Sequence, residues 1–167
     1  LAADNAPPRV TLVARPGLCD PEALPGTPGK LSPYARILDE GGDPGAIPQV
    51  RDGRAGVQDE GSQLVAIALA EAQVDGDDAR WLDLCAGPGG KAALLGALAR
   101  QRGADLVANE VLEHRADLVR QGVRLLDNVD VTTADGRHGP WEPGSFDRVL
   151  VDAPCTGLGA LRRRPES

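Results

Sequence analysis

The stretch Arg80-Trp81-Leu82-Asp83-Leu84-Cys85-Ala86-Gly87-Pro88-Gly89-Gly90-Lys91 decides how the rest of the chain is read. Arg80–Cys85 is an apolar run of strand length, and Ala86-Gly87-Pro88-Gly89-Gly90 halts it. Lys91–Arg102 follows with Leu and Ala at helical spacing, so the order is strand, glycine loop, helix. Downstream the alternation repeats. Asp105–Glu110 reads as a second strand, Glu113–Leu126 as a second amphipathic helix, Val129–Thr133 as a third strand and Phe146–Val151 as a fourth, broken at Pro154. Upstream, Ser62–Gln73 predicts a helix, with Asp59 or Ser62 as its cap. Strands alternating with helices at this spacing predict an α/β fold, a parallel sheet covered by helices with right-handed crossovers.

Before Val57 the texture differs. Pro7-Pro8, Pro16-Gly17, Pro25-Gly26, Pro28-Gly29, Gly41-Gly42 and Pro44-Gly45 punctuate the chain, and only Arg9–Ala14 reads as a convincing strand. Residues 1–56 are expected to form a small subdomain of short strands and turns, and 57–167 the α/β core. A disordered linker is the alternative for the first segment, against which Leu31–Leu38 and Ile47–Val50 supply apolar anchors.

The 167 residues are 41% hydrophobic and 26% charged, a globular balance rather than a disordered one. No apolar run is long enough to span a bilayer, so no membrane role is expected. With one Phe, one Tyr and two Trp, the core must be built from Leu, Val, Ile and Ala. The chain has no Met and opens on Leu1-Ala2-Ala3, which reads as a piece of something longer. A net charge of −7 argues against the whole surface being a nucleic-acid footprint, though not against a local basic groove. Cys19, Cys85 and Cys155 match neither a disulfide framework nor a CxxC metal site, so reduced thiols in a cytoplasmic protein are expected, with no metal.

In such a sheet, ligands sit beyond the carboxyl ends of the strands where strand order reverses, and the loop after the first core strand forms that crevice. A Walker A loop fails twice, because Cys85 stands at the first Gly position and Ala92 follows the Lys. A dinucleotide fingerprint begins with Gly87 and Gly89 but meets Ala92 at its third Gly. An adenosine-bearing methyl donor needs only a close-passing loop and a carboxylate for the ribose. Glu110, at the end of the second strand and 23 residues beyond Gly87, supplies one. Asp135, in Asp135-Gly136-Arg137, and Asp152, after the fourth strand, are poised at the same edge. Cys85 is read as packing, Cys19 as loop filler, and His114 and His138 as lone histidines without a catalytic partner.

Here the motifs become recognisable. Asp83–Lys91 resembles the methyl-donor motif of the RsmB (Sun/Fmu-like) and related RNA cytosine-5 methyltransferases. Asp152-Ala153-Pro154-Cys155-Thr156-Gly157-Leu158-Gly159 is similar to their Pro-Cys motif, followed by the basic run Arg162-Arg163-Arg164. Val57–Leu64 resembles the segment before their first core helix, and Asn5–Arg9 the start of their amino-proximal subdomain. The resemblance runs in family order from residue 5 to 166.

The resemblance implies a Rossmann-like S-adenosylmethionine-dependent methyltransferase sheet, of which the first four strands are present. It implies that Cys85, Ala86, Gly87, Pro88, Gly89, Gly90 and Lys91 wrap S-adenosylmethionine. Glu110 would hold the ribose with Arg115 close by, Asp135 would lie near the adenine, and Asp152 at the junction of donor and target base. Two cysteines operate in this family. The Pro-Cys thiol, here Cys155, assists product release, while the nucleophile lies in a later Thr-Cys motif that these residues do not contain. Arg162, Arg163 and Arg164 are candidate phosphate contacts, and the expected partner is RNA, ribosomal by resemblance, with a monomer favoured. A donor- or RNA-binding module without turnover, and an NAD-dependent oxidoreductase, are the competing functions.

Overall fold

Proline and glycine leave only short strands in the amino-proximal part of the computed structural model, which describes residues 9–39 and 42–153. β1 (Thr11–Ala14), β2 (Thr27–Pro28) and β3 (Ala35–Ile37) are followed by the single-turn helix α1 (Pro48–Arg51) and by β4 (Ala55–Val57). They form one antiparallel sheet in the order β2-β3-β1-β4, with Leu12 opposite Arg36 on one side and Val57 on the other. The described part of this segment is thus a sheet rather than a linker. Leu12, Ala14, Leu24 and Ala55 make its own small core.

Helix α2 (Glu60–Glu71) opens where Asp59 accepts a hydrogen bond from the Ser62 amide at 2.9 Å, so Asp59 is the cap and Ser62 lies inside the first turn. Then come β5 (Arg80–Asp83), α3 (Gly90–Gln101), β6 (Asp105–Asn109), α4 (Glu113–Val123), β7 (Val129–Thr132) and β8 (Arg148–Leu150). The second sheet runs β7-β6-β5-β8 and every pairing is parallel. Strand order reverses between β5 and β8, which opens the crevice expected of a doubly wound sheet. Glu110 is the first residue past its strand, not the last within it, and β5 ends at Asp83 rather than Cys85.

Few aromatic residues are available, so the core is close-packed aliphatic. Every residue from Ala92 to Ala99 on α3 is buried, and a Cβ on Gly96 would stand 2.5 Å from the Val129 side chain. Small residues therefore let α3 lie directly on the sheet. Leu94, Leu95 and Leu106, each fully buried, contribute roughly 1.5–3 kcal/mol apiece. Trp81 is fully buried beneath the Arg148 guanidinium, which stacks 4.9 Å from its ring. Arg148 also forms a 2.7 Å ion pair with Asp78 and donates to the Leu69 and Ala72 carbonyls, tying β8 to the end of α2.

Two polar side chains join the sheets. Gln63, fully buried on α2, donates to the Leu12 and Gln58 carbonyls and accepts from the Ser32 hydroxyl at 2.6 Å. Arg15, at the end of β1, donates to the carbonyls of Gly53 and of Gly122 on α4. Burial lowers the Arg15 guanidinium to about 10. Both sheets are thereby held against one layer of helices.

Candidate functional site

The segment after β5 is pinned at three points. The Leu84 amide donates to the Leu150 carbonyl at 2.9 Å, the Ala86 amide to the Asn109 carbonyl at 2.8 Å, and the Gly89 amide to the Ala86 carbonyl at 2.7 Å. Gly89 stands at φ 109° as the N-cap of α3, and a Cβ there would meet the Val119 backbone at 3.0 Å. Only glycine suits both the dihedral and the space.

Gly87 meets the predicted ribose acid. Its amide donates to Glu110 Oε2 at 3.1 Å, and its carbonyl accepts from Arg115 at 2.6 Å. Arg115 Nε lies 3.3 Å from the same carboxylate oxygen, while Glu110 Oε1 accepts from the Leu112 amide at 3.2 Å. A Cβ on Gly87 would collide with the Glu110 carboxylate, so glycine and acid are matched.

A cleft of about 770 Å³ opens over these groups, lined in part by Glu110, Val111, Leu112, Asp135 and Asp152. Val111 and Leu112 present exposed apolar surface to it, suited to a flat ring. Asp135 caps a short 3-10 turn at the cleft and grips Arg137, whose guanidinium holds the carboxyl far below the usual range. Beyond the loop lies a smaller cavity of about 240 Å³, lined by Gln58, Ser62, Asp83 and Lys91, among others. Cys85, Gly87 and Asp152 border both spaces. One elongated ligand can thus occupy the two.

Lys91, on the first turn of α3, pairs with Asp152 at 2.8 Å and donates to the Ser62 hydroxyl at 2.6 Å. Asp83 is 1% exposed, and neither of its oxygens has a hydrogen-bond partner. Burial, with Asp152 and Glu110 nearby, pushes it up to about 7 against the opposing effect of the Cys85 amide and Lys91. That amide approaches the carboxylate without reaching hydrogen-bond geometry, and burial decides the direction. Burial also raises the Cys85 thiol, the opposite of what a reactive thiolate needs.

The structure therefore gathers residues 85–91, Glu110, Arg115, Asp135 and Asp152 around one crevice. Cys155 and Arg162, Arg163 and Arg164 lie outside the described residues. His114 and His138 stand apart from the smaller cavity, and among the described residues no group of His, Cys, Asp and Glu is arranged to hold a metal. No helix of the described residues is long and apolar enough to cross a membrane. Four participants are not marked in the sequence reading. Asn109 donates to the Leu84 and Ala134 carbonyls and accepts from Thr132, holding the crevice floor together. Gln58 faces the smaller cavity, and Val111 with Leu112 forms the apolar wall. An apolar pair placed directly after a strand-end acid was a legible signal for that wall.

The parallel sheet and its glycine loop make this the Rossmann-like fold of S-adenosylmethionine-dependent methyltransferases. The crystal structure of a methyltransferase homologue from Pyrococcus horikoshii superposes with a TM-score of 0.75 over 97% of this chain and 55% of that one, at 23% identity. A family model described as 16S rRNA methyltransferase RsmB/F matches residues 68–167. A Mycobacterium tuberculosis protein named provisionally as a methyltransferase is 59% identical over all of this chain and 37% of its own length. Ribosomal RNA small subunit methyltransferase B of Salmonella paratyphi B is 35% identical over 90% of the chain and 34% of its own. A human 28S rRNA (cytosine(4447)-C(5))-methyltransferase is 34% identical over 82% of the chain and 17% of its own. The chain belongs to the RsmB/F ribosomal RNA methyltransferase family, whose methyl donor is S-adenosylmethionine. It spans about a third or less of the length of these curated relatives.

Proposed function

We propose that this chain supplies the donor-binding part of an enzyme that methylates C5 of cytosine in ribosomal RNA. The observation that carries the proposal is the two-part crevice at the β5/β8 reversal. Its larger space offers an acid and an apolar wall, and its smaller space offers charged groups of both signs. Gly87 and Glu110 fit a ribose, and the orphaned polar atoms of Asp83 and Gln58 fit a polar ligand end, so the residues suit S-adenosylmethionine. The names of the Salmonella and human relatives support ribosomal RNA as substrate, and the human name supports cytosine C5.

Bound there, S-adenosylmethionine supplies an electrophilic methyl group on a sulfonium. Glu110 would accept hydrogen bonds from its ribose hydroxyls, residues 85–91 would form the loop that holds it, and Asp135 would lie toward its adenine. Cytosine C5 is too weak a nucleophile unaided, so a cysteine thiolate would add to C6, and the resulting enamine carbon would take the methyl group from the sulfonium with S-adenosylhomocysteine as the leaving group. Loss of the C5 proton to a base then restores the C5–C6 double bond and expels the thiolate. Asp152 hydrogen-bonds the ring near N3, and the target base is unpaired or extruded so that its C6 is reachable. No Thr-Cys pair occurs in the 167 residues, so the proposal gives Cys155 the release step and places the nucleophile in the part of the relatives this chain does not span. We further propose that residues 1–56 form an amino-proximal subdomain, residues 57–167 the donor-binding core, and that the protein is a cytoplasmic monomer.

The test is transfer of a labelled methyl group to unmodified ribosomal RNA by the natural protein carrying this chain, beside the 167 residues alone. The natural protein is expected to yield 5-methylcytosine and the 167 residues alone none. Label on any other atom, or no transfer by the natural protein, overturns the proposal; turnover by the 167 residues makes Cys155 a nucleophile.

A further inference from the structure

Four guanidinium groups converge where the amino-proximal sheet meets α4. Arg15 follows β1, Arg51 ends α1, Arg54 lies between the Asp52-Gly53 turn and β4, and Arg124 is the C-cap of α4. A Cβ on Gly53 would stand 2.6 Å from an Arg124 nitrogen, so the bare backbone of that turn admits the side chain. Seated there, Arg124 donates to the Arg51 carbonyl at 3.0 Å and to the Gln121 carbonyl at 2.8 Å. Arg15 reaches the same turn from the buried side through the Gly53 carbonyl. Burial, and then the charge of Arg124, lower its guanidinium, so the two cations feel one another.

Acidic compensation is sparse. Among the described residues Asp52 pairs with Arg51 at 3.5 Å and with Arg54 at 3.2 Å, and Arg124 has no acid partner. Asp20, which shares the neighbourhood of Cys19 with Arg54, is engaged by the Glu22 amide. The result is a local excess of positive charge on a chain whose net charge is −7. Folding accounts for Arg15, which is buried and joins the two sheets' helices and turns. It does not account for Arg51 and Arg54, whose side chains are 67% and 41% exposed and whose ion pairs at that exposure stabilise little. Each guanidinium carries five N–H donors. Arg124 gives two to carbonyls, Arg54 gives one to Asp52, and most of the others remain for a ligand.

Guanidinium forks match the paired oxygens of a phosphate, and groups delivered by separate segments suit a run of phosphates rather than one small anion. None of the four arginines lines the crevice. They are nevertheless close to its loop, because Arg15 donates to the Gly122 carbonyl at 2.6 Å, and a Cβ on Gly122 would stand 3.7 Å from the Gly89 carbonyl oxygen.

We propose that Arg51, Arg54 and Arg124 form a phosphate-binding patch that holds the backbone of the RNA strand against the amino-proximal sheet, beside the donor loop and outside the crevice. The assignment rests on the RNA reading above and gives it a docking surface. Phosphate contacts position a strand without reading its bases, so the patch sets affinity and not the choice of nucleotide.

The natural protein carrying this chain is compared with a variant that combines Arg51→Gln, Arg54→Gln and Arg124→Gln. Fluorescence anisotropy across a salt series follows binding to unmodified small-subunit ribosomal RNA, to polyuridylate and to polyaspartate. The variant is expected to bind both RNAs about tenfold or more weakly at low salt, and its plot of log affinity against log salt to flatten by about 0.7 per lost contact. Should the triple variant fail to fold, Arg51→Gln and Arg54→Gln singly, each removing a side chain that pairs with Asp52 alone, are expected to flatten the slope by about 0.7 apiece. Unchanged slopes overturn the assignment. So does a loss confined to polyaspartate, which would make the partner an acidic protein, or one confined to ribosomal RNA, which would mean that bases are read. If the natural protein binds neither RNA, the RNA reading itself fails; RNA binding that ignores these arginines fails the patch alone.

Discussion

Lys91 Nζ lies 2.8 Å from the Asp152 carboxylate, so the first turn of α3 is tied to the residues that leave β8. One strand-to-helix loop and one strand end thereby form the two sides of a single crevice. The pair is partly exposed, with side-chain accessibilities of 21% and 51%, so its contribution to folding is small. Its value lies in placement. Lys91→Met is expected to weaken S-adenosylhomocysteine by about tenfold, through loss of a charged hydrogen bond, while the melting temperature moves by less than about 2 °C. Titration calorimetry and thermal unfolding of the same samples check both halves.

Glu110 serves the other end of the crevice. Glu110→Gln keeps the size and removes the charge that pairs with Arg115. We expect it to weaken S-adenosylhomocysteine and 5′-methylthioadenosine alike, by about tenfold, since both carry the ribose. NAD should bind neither form measurably. Tight NAD binding would favour the oxidoreductase alternative.

Asp83 makes stability depend on pH in a calculable direction. Its carboxyl is raised to about 7 in the fold by burial, with Asp152 and Glu110 adding to the rise and Lys91 and the Cys85 amide opposing it. A raised acid binds its proton more tightly when folded, so it lowers stability as pH climbs from the usual carboxylate range through 7. Asp83→Asn is therefore expected to raise the melting temperature at pH 8 and to change little at pH 4.

Arg148 and Asp78 illustrate the reverse sign. Arg148 is nearly fully buried and its hydrogen bonds hold the Asp78 carboxyl below the usual range, helped by Trp81. A lowered acid stabilises the fold above its unfolded pKa, and that gain is lost as pH falls through the folded value. Arg148→Met should cost about 3 kcal/mol at pH 7, because it leaves Asp78 and two carbonyls without their donor. The loss should shrink toward pH 3, as chemical denaturation across that range would show.

Arg162, Arg163 and Arg164 rest on sequence alone. If they contact phosphates, replacing all three with Ala should flatten the plot of log affinity against log salt for ribosomal RNA. The expected change in slope is about 0.7 per lost contact to a single strand. An unchanged slope would make them a solvated charge run.

The order of strands and helices was legible because each signal is local. Asp83–Lys91 carries its glycines within nine residues, and Glu110 and Asp135 each follow a short apolar run. Periodicity also located α2, α3 and α4, with ends that differ by no more than three residues. The cap of α2 could not be chosen from spacing, since both Asp59 and Ser62 are good caps. The Asp59 carboxylate accepts from the Ser62 amide, and that decides it.

By itself the sequence determined an α/β chain, a glycine loop followed by a strand-end acid, and a family likeness, since these depend on residue types at short spacing. Only the tertiary structure decided that β5 lies between β6 and β8, and that Arg148 clamps Asp78 from 70 residues away. It also brought Gln58, at the end of one sheet, to the same cavity as Asp83 in another. Nothing local marks such residues. An unpaired amide and an unpaired acid become informative only when burial removes the water that would otherwise satisfy them.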